Sequence, residues 1–280
     1  MVLFFSCGRN TSGELGTGDV TNYSSPVSVI GNHVFTKISA GYLNTVALRS
    51  DGTAWAWGYN YFGNLGDNTT NNRSSPVSVV GNHTFTDISS GGDHRVTLKS
   101  NGSAWGWGLN TFGQLGDNTR REKSSPVSVV GNHSFIKICG GGSHTLALKS
   151  DGSVWSWGRN DYGQLGTGNV ISRSSPVSVI GSHSFVDISA GDSHNLALKS
   201  DGSLWAWGLN NYGQLGTGSK THTSSPVSVI GGHSFVKICG GSENSFALKA
   251  DGTAWAWGYN WSGMLGDGTE TDRSSPVSVI

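Results

Sequence analysis

The stretch Asp151-Gly-Ser-Val-Trp155-Ser-Trp157-Gly158-Arg-Asn160-Asp-Tyr-Gly163-Gln-Leu165-Gly166 decides the fold. Asp151-Gly152 favours the positive φ angles of a tight two-residue turn, so the segments on either side form an antiparallel hairpin. Residues 154–157 alternate, with Trp155 and Trp157 on one face of a strand and small Ser156 on the other. Large rings on one face and small residues on the other let neighbouring sheets interleave. The Asn-x-x-Gly-x-Leu-Gly run that follows places turns around one apolar anchor, Leu165. Glycine-rich runs cradle phosphate when they open a helix, and no helical periodicity follows here.

Working outward, the same pattern recurs along the whole chain. SSPVSV begins at Ser24, Ser74, Ser124, Ser174, Ser224 and Ser274, always 50 residues apart. Trp-Gly falls at 57–58, 107–108, 157–158, 207–208 and 257–258, with Cys7-Gly8 in the matching place at the start. A 50-residue period with several short strands predicts propeller blades. One period reads as four strands, at 126–130, 135–139, 145–149 and 154–157. The chain is therefore expected to be all-β, a β-propeller of four-stranded antiparallel blades.

Composition fits this reading. Gly supplies 43 of 280 residues, about twice the usual ~7%. Lys plus Arg equals Asp plus Glu at 18 each. A chain this neutral carries no electrostatic footprint for duplex nucleic acid or for an anionic membrane surface. No apolar run approaches the ~18 residues of a membrane helix. Cys7, Cys139 and Cys239 are too few and too scattered for a disulfide framework or a zinc site, and are expected to be buried or half-buried thiols. The apolar N-terminal run lacks the form of a signal peptide and reads as a strand over 3–7.

The combination GGxxHxxAL, DGxxWxWGxNxxGQLG and SSPV resembles the regulator of chromosome condensation repeat family over the whole chain. That resemblance implies a ring of four-stranded blades, usually seven, sealed by strands from both chain ends, with partners bound on the propeller faces. Some members are guanine-nucleotide exchange factors for a small GTPase and bind chromatin. Others are scaffolds, parts of ubiquitin-ligase proteins, or inhibitors that dock on an enzyme. The invariant 50-residue spacing leaves no room for the wedge-like insertion expected of the exchange-factor branch, and no basic tail is evident.

A single propeller domain is expected over 1–280, with repeats at 24–73, 74–123, 124–173, 174–223 and 224–273 and a partial sixth blade from 1–8 and 274–280. Each blade is expected to open with its Pro-containing strand, so the two terminal strands are the outermost and innermost of that sixth blade, and the strands between them are missing. The chain then reads as a stretch of a longer ring, of seven blades by the count usual in the family it resembles, continuing as Gly-x-His-x-Phe. An open arc covered by a partner or by further copies is the other reading.

All nine His fall into place, eight in two columns and His222 alone in a loop. His33, His83, His133, His183 and His233 form one column. His94, His144 and His194 form another, in which Asn44 and Asn244 take the remaining places. Interchange with Asn points to turn-stabilising hydrogen bonds. Columns repeated on separate blades supply neither metal-ligand spacing nor a unique catalytic constellation. Asp267, Glu270 and Asp272 have no counterpart set in the other repeats and read as a solvated loop. No cofactor, metal or enzymatic activity is expected.

Comparison between repeats gives the functional hint. Variation concentrates at 59, 61–62, 64 and 67–73 and their equivalents, and in a second patch at 42–44, 92–94 and 242–244. Loops of this kind carry recognition. The candidate contact residues are Tyr42, Tyr59, Tyr61, Phe62, Arg73, Arg120, Arg121, Tyr162, Tyr212 and Trp261. For Phe62, Phe112, Tyr162 and Tyr212, filling the gap between blades is the competing role. The expected function is a non-catalytic protein-interaction or scaffold module with a protein partner on its rim. Carbohydrate or surface recognition in a structural or virion-like particle comes second, and nucleotide exchange third.

Overall fold

A computed structural model describes residues 4–280. The expected strand over 3–7 therefore begins outside the described residues. Its described part is β1 (Phe5–Gly8), which pairs antiparallel with β2 (Tyr23–Ser28) in a two-stranded sheet. The next sheet holds β3 (Phe35–Ala40), β4 (Asn44–Arg49), β5 (Ala54–Gly58) and β6 (Arg73–Ser78) in that spatial order. Four more sheets repeat this arrangement. Their first strands are Asp87–Ser90, Lys137–Gly140, Asp187–Ala190 and Lys237–Gly240, and their last are Lys123–Ser128, Arg173–Ser178, Thr223–Ser228 and Arg273–Ser278. Five four-stranded blades and one two-stranded sheet thus make up the described chain, with no helix.

The pairing corrects one expectation. The Pro-containing strand is not the first strand of its own blade; it pairs with the Trp strand of the preceding repeat. Trp155 faces Ser178 and Ser156 faces Val177. Arg273–Ser278 therefore completes the fifth blade, and β1 and β2 are adjacent outer strands of their sheet. Hydrogen-bonded sheets are offset from repeats cut at SSPVSV. Pro176 also sits inside its strand, not at the start, where the register shifts between Ser156 and Gly158. A bulged edge strand tolerates the missing N–H.

The hydrophobic core lies in the seams between blades. At one seam Phe135, Ile138, Ala147 and Trp157 pack on Val96, Leu98 and Ala104 of the preceding blade. Trp57, Trp107, Trp157, Trp207 and Trp257 are all essentially fully buried. The other Trp column is only half-buried: Trp155 stacks on His133 at 4.2 Å, with Lys149 Nζ 4.3 Å from its ring centroid. The first strands gather at the centre, where the residues following them in all five blades line a cavity of about 290 Å3.

The seam contact of the last described blade differs from the others. Gly16, Gly66, Gly116, Gly166 and Gly216 each lie beneath the buried Trp of the next blade, whereas Gly266 meets only Val279 of its own. The cysteines follow the same geometry. Cys139 is half-buried, but Cys7 and Cys239 are exposed, contrary to the expectation of buried thiols. Cys139 reaches Ile188 of the next blade, while Cys239 has no following blade among the described residues.

Candidate interaction face

A four-stranded meander sends alternate connections to opposite ends of the blade. The β3–β4 loop and the long β5–β6 loop share one end; the β4–β5 hairpin and the link to the next blade share the other. Both variable patches therefore occupy one face. Hydrogen bonds tie them together: the N–H groups of Tyr59, Leu109, Arg159, Leu209 and Tyr259 donate to the carbonyls of Leu43, Asp93, Ser143, Ser193 and Glu243 at 2.9–3.0 Å. The opposite face repeats nearly unchanged turns, such as Asp51-Gly52, Asn101-Gly102 and Asp151-Gly152.

The long loops have a fixed scaffold that the sequence reading overlooked. Asn60 is completely buried. Its Oδ1 accepts from Leu65 N at 2.9 Å, and its Nδ2 donates to Thr69 O at 3.2 Å and Asn71 O at 3.0 Å. Asn110, Asn160, Asn210 and Asn260 hold their loops the same way. One side chain thus satisfies main-chain groups at both ends of the loop, so the intervening residues vary without loss of shape. The Asn two residues after every Trp-Gly was the available signal.

All ten candidates lie on this face. Tyr42, Tyr61 and Trp261 are 62%, 66% and 73% exposed. Arg120 and Arg121 are exposed and, among the described residues, form no ion pair. Arg73 is committed to its own loop, 2.8 Å from Asp67. Tyr59, Phe62, Tyr162 and Tyr212 are half-buried. Tyr212 packs on Tyr259 of the next blade at 4.7 Å, and the guanidinium of Arg159 sits 5.0 Å from the ring of Phe112. Those aromatics bridge seams. Tyr59 and Tyr61 stack at 6.3 Å with an interplanar angle of 16°, and Phe62 meets Tyr61 edge-on at 5.0 Å.

At the centre, the short loops are joined by main-chain bonds from blade to blade. Tyr42 N donates to Gly92 O at 3.2 Å, Gly92 N to Gly142 O at 3.2 Å, Gly142 N to Asp192 O at 2.9 Å and Asp192 N to Gly241 O at 3.2 Å. Beneath them the second His column crosses the seams: His94 Nε2 bonds Thr145 Oγ1 at 3.0 Å, His144 bonds Asn195 Oδ1 at 2.7 Å and His194 bonds Ser245 Oγ at 2.9 Å. These residues tie blade to blade, a longer-range role than the expected turn stabilisation. Burial, reinforced at His94 by the Arg95 guanidinium, pushes His94 and His194 down to about 3, which keeps both rings neutral.

Three carboxylates at this centre, Asp93, Asp192 and Glu243, were not singled out from sequence. None forms an ion pair among the described residues. Burial raises Asp93 above the ordinary carboxylate range, against the opposing pull of Arg95 and of a hydrogen bond from Asn64. Glu243 is raised by burial and by the nearby charges of Asp192 and Asp272.

Five four-stranded blades around a central cavity define a β-propeller. The chain belongs to the RCC1-like domain family, whose profile matches residues 3–280. Among solved structures it is similar to human WBSCR16, with 21% identity, a TM-score of 0.87, and coverage of 99% of this chain and 78% of that one. Yeast RCC1 (Prp20), solved bound to Kap60, shares 20% identity with a TM-score of 0.67, over 99% of this chain and 83% of that one. The ectodomain of the Arabidopsis thaliana receptor kinase ACR4 shares 16%, with a TM-score of 0.55, over 91% and 70%. At these identities the likeness establishes the fold. No curated protein sequence matches the chain.

Proposed function

We propose that this protein is a non-catalytic interaction module that binds a protein partner through the face carrying its variable loops. The observation that carries this reading is the segregation of the variable positions. Both patches fall on one face, over an Asn scaffold that tolerates change, while the other face repeats the same turns. Exposed Tyr42, Tyr61 and Trp261 supply anchors of the type that dominates protein interfaces. Near its centre the face carries carboxylates that form no ion pair among the described residues, and one edge carries Arg120 and Arg121, a charge pattern suited to a charged protein surface rather than a neutral glycan. The related yeast protein Prp20p was studied for its binding to Gsp1p and histones.

The test is affinity capture from the native source, with residues 67–73 exchanged for 217–223. The exchange is expected to remove partners while leaving the unfolding midpoint unchanged. Retention of every partner would overturn the reading. Nucleotide release from a panel of small GTPases is measured alongside; acceleration by the intact chain would replace the scaffold role with exchange.

A further inference from the structure

Tyr42 lies across the mouth of the central cavity. Its ring covers Gly92, where an added Cβ would stand 2.7 Å from Tyr42 Cε2. Its hydroxyl donates to the carboxylate of Asp192, three blades away. Tyr59 begins the neighbouring loop, bonded through its N–H to Leu43 O, and stacks on Tyr61. Tyr42 and Tyr61 remain mostly exposed. The result is an aromatic surface on the first blade, with Asp192 in the cavity lining and Asp93 and Glu243 one residue beyond that lining on their own blades, none of which forms an ion pair among the described residues. The other acidic groups near this face are largely engaged: Asp67 with Arg73, Asp117 with Lys123, Asp161 with Arg159 and Asp272 with Lys220.

We infer that this surface takes an arginine-bearing segment of the protein partner, its guanidinium stacked on Tyr42 or Tyr61 and paired with the carboxylates at the cavity mouth. The inference rests on the interaction-module reading and names the chemistry of its partner. Charge complementarity selects a cation, and the tyrosines select among cations. A planar guanidinium stacks on an aromatic face and bonds a carboxylate through its edge at the same time. A lysine ammonium does one or the other less well, being compact and strongly hydrated. Asp93 and Glu243 are already partly desolvated, so a guanidinium arriving there meets acceptors that have lost much of their water, where charge-assisted bonds are stronger.

The experiment is fluorescence polarisation of a labelled tetra-arginine peptide against the intact chain at low salt, with tetra-lysine and tetra-glutamate peptides as controls. The arginine peptide is expected to bind, more tightly than the lysine peptide, and the glutamate peptide not at all. Tyr61→Ala and Glu243→Gln change surface groups; Tyr61 contacts Tyr59 and Phe62 of its own loop, and Glu243 forms no ion pair among the described residues. Each is expected to weaken arginine binding several-fold, and the pair together with Asp192→Asn by about tenfold or more. Absence of arginine binding, or binding unchanged in these variants, would overturn the inference. Equal affinity for arginine and lysine would overturn the role of the tyrosines. Should the peptide fail while the exchange of 67–73 still removes partners, the interaction module stands and only the arginine assignment falls.

Discussion

Trp157 donates its indole N–H to the main-chain carbonyl of Gln114, 2.9 Å away in the preceding blade. The same bond recurs from Trp57, Trp107, Trp207 and Trp257 to the carbonyls of Glu14, Asn64, Gln164 and Gln214. Each buried Trp therefore fills a seam and fixes its register. Trp157→Ala is expected to cost about 3–5 kcal/mol, read as a fall in the urea midpoint. Trp157→Phe keeps much of the ring and loses one hydrogen bond, worth about 1 kcal/mol. Gln114 O stays satisfied in that variant, because Thr145 Oγ1 also donates to it at 2.9 Å. Trp155→Ala, at a half-buried ring, should cost less than Trp157→Ala. An unchanged midpoint in Trp157→Ala would contradict burial at the seam.

The buried histidines make stability depend on pH. His94 and His194 have ordinary values of 6.5 and folded values of about 3. The unfolded chain thus binds protons between these values that the folded chain refuses. Stability is complete above pH 6.5 and is lost as pH falls toward 3, at about 1.4 kcal/mol per group for each pH unit well inside that window. Replacing both with Asn, the residue that stands at 44 and 244, should flatten the unfolding midpoint between about pH 6.5 and 4.5, above the carboxylate range. A slope as steep as that of the parent protein would show that other groups govern acid sensitivity.

How much of this was legible follows from which forces are periodic. The seams were legible because Trp155, Ser156 and Trp157 alternate along a strand, and alternation is a backbone property that survives in one dimension. Strand partners were less so. Nothing local to Pro176 says whether it pairs with the Trp strand before it or with the strand after it. The answer lies in the loop scaffold, where buried Asn160 bonds both Leu165 N and Ile171 O and so returns the chain beside its predecessor. The two variable patches were visible as variation, but their coincidence on one face needed the meander. Asp93 and Glu243 share a column whose other members are Leu43, Ser143 and Ser193, and Asp192 stands in the column before it, so no repeated carboxylate announced them. Only the ring brings them to one mouth.

Two glycines, Gly163 in a long loop and Gly252 in a short hairpin turn, test close approach separately from backbone strain. Gly163 has a φ of +80°, and an added Cβ would fall 2.5 Å from Ser224 Cα in the neighbouring blade. Gly252 has a φ of +87° and no heavy atom within 4 Å of the same position. Gly252→Ala should cost about 1 kcal/mol from φ alone. Gly163→Ala adds a clash with main chain that cannot swing aside, so its midpoint should fall clearly further. Equal losses would mean that the two blades separate easily at this contact.

Thiol reactivity should report the environment of the three cysteines. Cys7 and Cys239 are exposed. Burial pushes the Cys139 thiol up to about 11, so little thiolate is present near neutrality. A disulfide reagent at pH 8 should modify two thiols quickly and Cys139 slowly. Rapid reaction of Cys139 in the folded protein would place it at the surface.

Arg95 is the least expected side chain in the ring, and removing it should help. It is 1% exposed and stands where the neighbouring repeats have Thr45 and Thr145. Its Nη1 donates to His94 O at 2.5 Å and Gly91 O at 3.3 Å, while Nε and Nη2 have no acceptor. Burial draws the guanidinium down to about 10, opposed by Asp93, yet no carboxylate pairs with it among the described residues. A buried charge left partly unsatisfied is costly, and replacing such a group by a smaller, satisfiable one is often neutral or stabilising. Thr145 shows the local solution, with its hydroxyl bonded to Gln114 O and to His94. Arg95→Thr is therefore expected to leave the urea midpoint unchanged or raise it, while Asp93, deprived of its nearest cation, titrates at a higher pH. Loss of more than about 2 kcal/mol would show instead that Arg95 holds the first two blades together, with an acceptor on its free N–H groups.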